Sequence, residues 1–187
     1  MDLLHNIIYG LMFFCVFLAV LISVERFIFI SNNLKRSRLV AKTIKETPNQ
    51  HLNNLSNDFV SQVVKSVESL YSQATKLDVV QDRTDALYID LRQELYKKLW
   101  MLDTIITAAP LLGLLGTIFG IVDTFLALSS SGMSDPSGVS AGIGTALYST
   151  AFGIALALIS LIVFNFLNTR NELILENIKF YLLFRSS

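Results

Sequence analysis

The sequence predicts an all-α membrane protein, with three transmembrane helices and long helical extensions on one side of the bilayer. Three observations carry that expectation. The chain of 187 residues is 52% hydrophobic and only 16% charged, which is more apolar than an ordinary soluble domain. The apolar residues gather into three runs of about 20 residues or more, the length that crosses a bilayer. Between the runs, apolar residues recur every three or four positions, the period of an amphipathic helix.

Residues 1–30 form the first expected transmembrane helix, apolar from Ile7 to Ile30 except for Glu25-Arg26. That pair is placed at the headgroups, with Arg26 long enough to snorkel. A cleaved signal peptide does not fit: the start carries Asp2 and no base, and no small-x-small site follows. Residues 31–100 form a helical region between the first two spans. It opens on Lys35, Arg36, Arg38, Lys42 and Lys45, a run that marks topology and also attracts anionic phospholipid headgroups. Thr47-Pro48-Asn49 ends the first helix. Leu52, Leu55, Phe59, Val63, Val67 and Leu70 then make one apolar stripe, and Leu87, Leu91, Leu95 and Leu99 a second. No Gly or Pro separates the second stripe from the next span, so one continuous helix is expected from about Asp82 to about Leu128, roughly 65 Å long. Residues 101–130 form the second span, 131–138 a short loop, 139–168 the third span, and 169–187 a helical tail carrying Leu173, Leu175, Ile178 and Leu182.

Charge placement gives orientation. All 15 Lys and Arg lie at Arg26, within Lys35–Lys98, or from Arg170 onward. Basic segments stay on the cytoplasmic side, so the N-terminus and the short loop are expected outside, the central region and C-terminus inside. The net charge of zero points to no nucleic-acid partner. The two His, at positions 5 and 51, and the single Cys15 make no metal cluster, and Cys15 allows no internal disulfide. A phosphate-binding loop and a Ser-His-acid set are both missing, so nothing supports an enzyme, a metal or a bound cofactor.

Small and polar residues within the spans hold the remaining information. In the second span Ala109, Gly113, Gly116, Gly120 and Ala127 share a narrow arc at 100° per residue; in the third, Gly142, Ala146, Ser149, Gly153, Ala157 and Ser160 do the same. Small stripes let helices approach closely. Thr117 and Thr124 stand on one edge of the first stripe and Asp123 on the other, while Thr145 and Thr150 flank the second. A threonine can satisfy itself on its own helix, whereas an ionisable residue in a span points to function. Asp123 has two readings, a functional carboxylate or a headgroup-level residue.

The stretch from Ala109 through Pro110 to Gly120 resembles the second-span motif of the ExbB/TolQ family, relatives of the flagellar motor protein MotA, and Gly142 to Gly153 resembles its third-span motif. Glu25-Arg26, the short outer loop and the large inner region also fit. The resemblance implies a homopentamer in the bacterial inner membrane whose second and third spans line a pore. Single-span ExbD-like or TolR-like helices would sit in that pore, each bringing an essential Asp, and proton flow would drive work on a TonB-like protein and outer-membrane transport. Thr117 and Thr150 match the family's lumenal threonines. The chain departs from the pattern at Thr145, where ExbB and TolQ members usually carry Glu. A pore needs inward polar groups, and three spans cannot enclose one alone, so the implied function requires a homo-oligomer. An ExbB-like energiser, a TolQ-like subunit and a non-conducting scaffold stay open at this point. Asp123 lies six residues beyond Thr117, and Thr145 five before Thr150, which puts both roughly 8–9 Å outward of the central threonines. A carboxylate moved from one helix to the other at constant depth is one expectation; a neutral ring at Thr145 is the other.

Overall fold

The computed structural model describes residues 2–46, 59–73, 77–131 and 136–186, all of them helical except the turn at 97–98. The helices are α1 (Asp2–Glu46), α2 (Phe59–Gln73), α3 (Leu77–Tyr96), α4 (Leu99–Ser131) and α5 (Pro136–Ser186). Segments of α1, α4 and α5 are long and apolar enough to cross a membrane. No Gly or Pro interrupts α1 after Gly10, so it runs 45 residues through Glu25-Arg26 and the basic run without a break. Pro136 opens α5, where its missing N–H costs no helical hydrogen bond. The expected break at Thr47-Pro48-Asn49, Leu52 and Leu55, and residues 132–135 of the expected loop 131–138 lie outside the described residues.

The chain divides into two compact units. The first comprises Met1–Ser23 and Lys98–Phe164; the second comprises Val24–Lys97 and Asn165–Ser187. Their cores differ in kind. In the second unit Ile30, Leu34 and Val40 of α1, Val60, Val64 and Val67 of α2, Leu91 and Leu95 of α3, and Leu167, Ile174 and Ile178 of α5 are buried. Large aliphatic side chains held out of water stabilise this unit by about 1.5–3 kcal/mol each. The interior of the first unit holds Ala19, Ala109, Ala146, Ala157, Ser149 and Ser160 beside Ile8, Met12, Ile22, Leu102 and Ile105. Many of its bulky side chains, among them Phe13, Leu111, Phe152 and Ile162, point outward. Small residues inside and large ones outside suit helices packed in lipid, where burying Leu gains little.

One expectation fails. The helix predicted from about Asp82 to about Leu128 is broken: α3 ends at Tyr96 and α4 begins at Leu99. Lys98 sits in the left-handed region with φ 66°, which costs a side-chain-bearing residue about 1–2 kcal/mol. Its carbonyl accepts from the Met101 N–H at 3.1 Å as α4 starts. The break leaves α3 with open carbonyls in its last turn. Two of them are capped by other helices. Arg26 of α1 donates from Nη1 to the Glu94 carbonyl at 3.1 Å, and Asn171 of α5 donates from Nδ2 to the Leu95 carbonyl at 2.9 Å. Arg26 therefore does not snorkel outward as expected. It is buried, with its guanidinium 5.3 Å from the Phe29 ring centroid, while Glu25 is exposed. The same device serves α2, whose Val60 N–H donates to Asn33 Oδ1 at 3.2 Å. Asn177 Nδ2 donates to Ser37 Oγ at 3.1 Å and ties α5 to α1.

Candidate functional site at the α4–α5 seam

Within the first unit α4 and α5 run antiparallel, and their small stripes face each other. A Cβ added at Gly153 would meet the Ala109 carbonyl oxygen at 2.5 Å; at Gly113, the Ser149 carbonyl oxygen at 2.8 Å; at Gly120, the Ala146 Cβ at 2.7 Å. Gly116 lies against Ser149, and Gly142 against Thr124. Five of the glycines singled out by sequence are thus used in close helix contact, each where a side chain would collide. Ala109, Ala146, Ala157 and Ser160 are buried with them, whereas Ala127 is exposed. Ser149 also reaches α1, its hydroxyl 3.8 Å from Met12 Sδ. Pro110 lies inside α4 beside Ala109, where it supplies no backbone N–H to the helix.

Thr117 and Thr150 meet at this seam. Their hydroxyls are hydrogen-bonded to each other, and both are half-buried. Thr117 Oγ1 lies 3.2 Å from the Gly113 carbonyl oxygen and 3.2 Å from that of Ala146, while Thr150 Oγ1 lies 3.1 Å from the Gly113 carbonyl oxygen. Two hydroxyl protons therefore have two carbonyl acceptors, Gly113 and Ala146, besides each other. Thr117 can donate to Ala146 while Thr150 donates to Thr117, or Thr117 can donate to Thr150 while Thr150 donates to Gly113. Both arrangements keep every proton in a hydrogen bond, so the pair can reverse its polarity without moving a heavy atom. The missing side chain at Gly113 is what brings its carbonyl within reach of Thr150.

The other residues lie beyond that pair, toward the C-terminal end of α4 and the N-terminal end of α5. Thr124 donates to the Gly120 carbonyl at 2.7 Å and packs on Gly142. Thr145 is exposed and donates to its own helix at the Ala141 carbonyl, 3.0 Å away. Asp123 is half-buried on α4. The contacts of Gly120 with Ala146 and of Thr124 with Gly142 fix the register, which sets Asp123 and Thr145 within about 3 Å of one level. Glu25 and Arg26 belong to the second unit and are described there. Among the described residues no group of three His, Cys, Asp or Glu is placed to hold a metal ion. The buried amides Asn33 and Asn171 were missed by sequence reading. Their one signal was an amide placed on the apolar face of an amphipathic helix.

Comparison with known proteins agrees with the motif reading. Residues 51–179 match the model of the MotA/TolQ/ExbB proton channel family. The chain is 33% identical over 109 residues to the biopolymer transport protein ExbB of Aquifex aeolicus, covering 58% of this chain and 70% of that one. It is 37% identical over 98 residues to the protein of the same name from Helicobacter pylori, covering 52% and 65% respectively. A putative ExbB homolog of Methanothermobacter thermautotrophicus is 33% identical over 116 residues, covering 59% of this chain and 41% of that protein.

Proposed function

Because the chain belongs to the MotA/TolQ/ExbB proton channel family, we propose that it is the channel subunit of an inner-membrane complex that turns the proton motive force into work on outer-membrane transport. The observation that carries this reading is the Thr117–Thr150 pair. Two hydroxyls sit mid-span on adjacent helices, in a hydrogen-bonded arrangement of reversible polarity, inside the segment matched to the family. Repeated around a homopentamer, such pairs would give a polar ring in an otherwise apolar wall. A single-span ExbD-like helix within that ring would supply the ionisable group, and a TonB-like protein would receive the work. The N-terminus is outside and the C-terminus inside, as the Lys and Arg placement requires. The relatives described above carry the name ExbB, which favours the ExbB-like role over a TolQ-like one.

The test is proton flux. The chain, co-expressed with its single-span partner and reconstituted into dye-loaded liposomes, should acidify the lumen under an imposed gradient. Native mass measurement of the same preparation should give a pentamer around the partner helices. A complex of that composition that passes no more protons than empty liposomes would leave only the scaffold reading.

A further inference from the structure

The second unit contains a small cavity of about 80 Å³ between α1 and α5, lined by Phe27, Ile30, Ser31, Leu34, Phe166, Leu167 and Arg170. Its walls are graded. Phe27 and Phe166 stack with ring centroids 5.8 Å apart and an interplanar angle of 19°, yet both rings stay exposed, at 53% and 42%. One helical turn further along each helix stand the polar groups, Ser31 on α1 and Arg170 on α5. The two helices run the same way here, because Phe27 pairs with Phe166 and Ser37 with Asn177. The aromatic pair therefore lies toward the apolar spans, and Ser31 and Arg170 lie away from them.

Arg170 is the unusual member. The residue is half-buried, with its guanidinium 4.8 Å from the Phe166 ring centroid, and among the described residues it has neither a hydrogen bond nor an ion pair. The Ser31 hydroxyl is likewise without a hydrogen-bond partner among the described residues. Lys35 and Arg38, one turn beyond Ser31 and Leu34, are exposed on the same side of α1 and also unpaired among the described residues. The cavity lining includes no carboxylate. A fixed cation, a free hydroxyl and two further cations thus border a gap whose other end is an exposed aromatic shelf.

We propose that this groove holds one anionic phospholipid of the inner leaflet. Its phosphate sits on Arg170 and Ser31, its outer charge faces Lys35 and Arg38, and an acyl chain lies along Phe27 and Phe166. The cavity has room for a phosphate group and not for the chains, which follow the exposed rings into the bilayer. Arg suits this task because its planar fork can bond two phosphate oxygens at once. The site rests on membrane insertion alone, so it stands or falls separately from proton conduction.

The test uses the full chain in detergent, titrated with phosphatidylglycerol or phosphatidylcholine and read by native mass spectrometry. Phosphatidylglycerol should bind as a single tight adduct and phosphatidylcholine should not. Arg170→Gln should weaken that adduct by at least about fivefold, and Arg170→Lys should weaken it less. Arg36→Gln removes the same charge from the opposite side of α1 and should leave the adduct unchanged. Ser31→Ala supplies a small change that does not threaten the fold. Inorganic phosphate at millimolar concentration should not displace the lipid, because it lacks the chain that covers the two rings. Equal weakening by Arg170→Gln and Arg36→Gln would mean diffuse charge attraction and overturn the site. So would an adduct unaffected by both Arg170→Gln and Ser31→Ala, equal binding of phosphatidylcholine, or displacement by phosphate.

Discussion

Thr117 and Thr150 show how little separates a structural hydroxyl from a functional one. Each can satisfy itself within the chain, and each can also pass a proton's polarity to the other. Val matches Thr in shape but offers no donor or acceptor. Replacing either residue by Val should cost only about 0.5–1.5 kcal/mol of stability, the usual worth of a hydrogen bond between helices in a membrane. Assembly should survive. Proton flux in liposomes should fall in either variant and fall no further in the double, because the reversible arrangement needs both hydroxyls. Undiminished flux in both singles would reduce the pair to a packing contact. Asp123 and Thr145 pose the complementary question, since the register places them on nearly one level. If the carboxylate has moved from the third span to the second, Asp123→Asn should abolish flux in an assembled complex, and adding Thr145→Glu should restore part of it. An active Asp123→Asn variant would leave the partner's Asp to carry the proton alone.

The helices show which features can be read from sequence and which cannot. The three spans were legible because about 20 apolar residues in a row have few soluble uses. The α4–α5 seam was legible too, since small residues on one face of each span demand close approach. Gly153→Ala and Gly113→Ala should each destabilise the seam by about 1–3 kcal/mol, as their new Cβ would press on backbone carbonyls that cannot move aside. Gly10→Ala, with no atom within 4 Å of its Cβ, should be neutral or stabilising in the same thermal melt. The turn between α3 and α4 was not legible. Left-handed backbone is usually announced by Gly, and here Lys98 adopts it. The turn is supported from outside α3 and α4, by Arg26 and Asn171 on the carbonyls of Glu94 and Leu95. No local pattern could reveal caps supplied by residues 68 and 76 positions away. Asn171→Leu should therefore cost about 1–3 kcal/mol by orphaning a buried carbonyl, although Leu is the better match to its apolar neighbours. Lys98→Gly should raise stability by about 1 kcal/mol by removing the left-handed strain.

For the whole chain, orientation decides whether the functional reading holds together. The Lys and Arg lie at Arg26, within Lys35–Lys98 and from Arg170 onward, and the connection between α4 and α5 carries none. Each Lys or Arg left on the translocated side works against insertion, so this distribution favours the orientation proposed above. In the proposed orientation the basic residues of the second unit would face the cytoplasm. The proposed lipid site would then fall in the inner leaflet, and Asp123 would lie on the outer side of the Thr117–Thr150 pair, where a proton would enter. Labelling tests all three placements at once. In a Cys15→Ser background, a thiol at Ser131 at the end of α4 should react with a membrane-impermeant maleimide added to intact cells with a permeabilised outer membrane. A thiol at Lys65, exposed on α2, should react only after the inner membrane is broken. Reaction at Lys65 and not Ser131 in intact cells would invert the protein. Proton entry at Asp123 would then face the cytoplasm, and an inward-directed gradient could not reach the hydroxyl pair from that side.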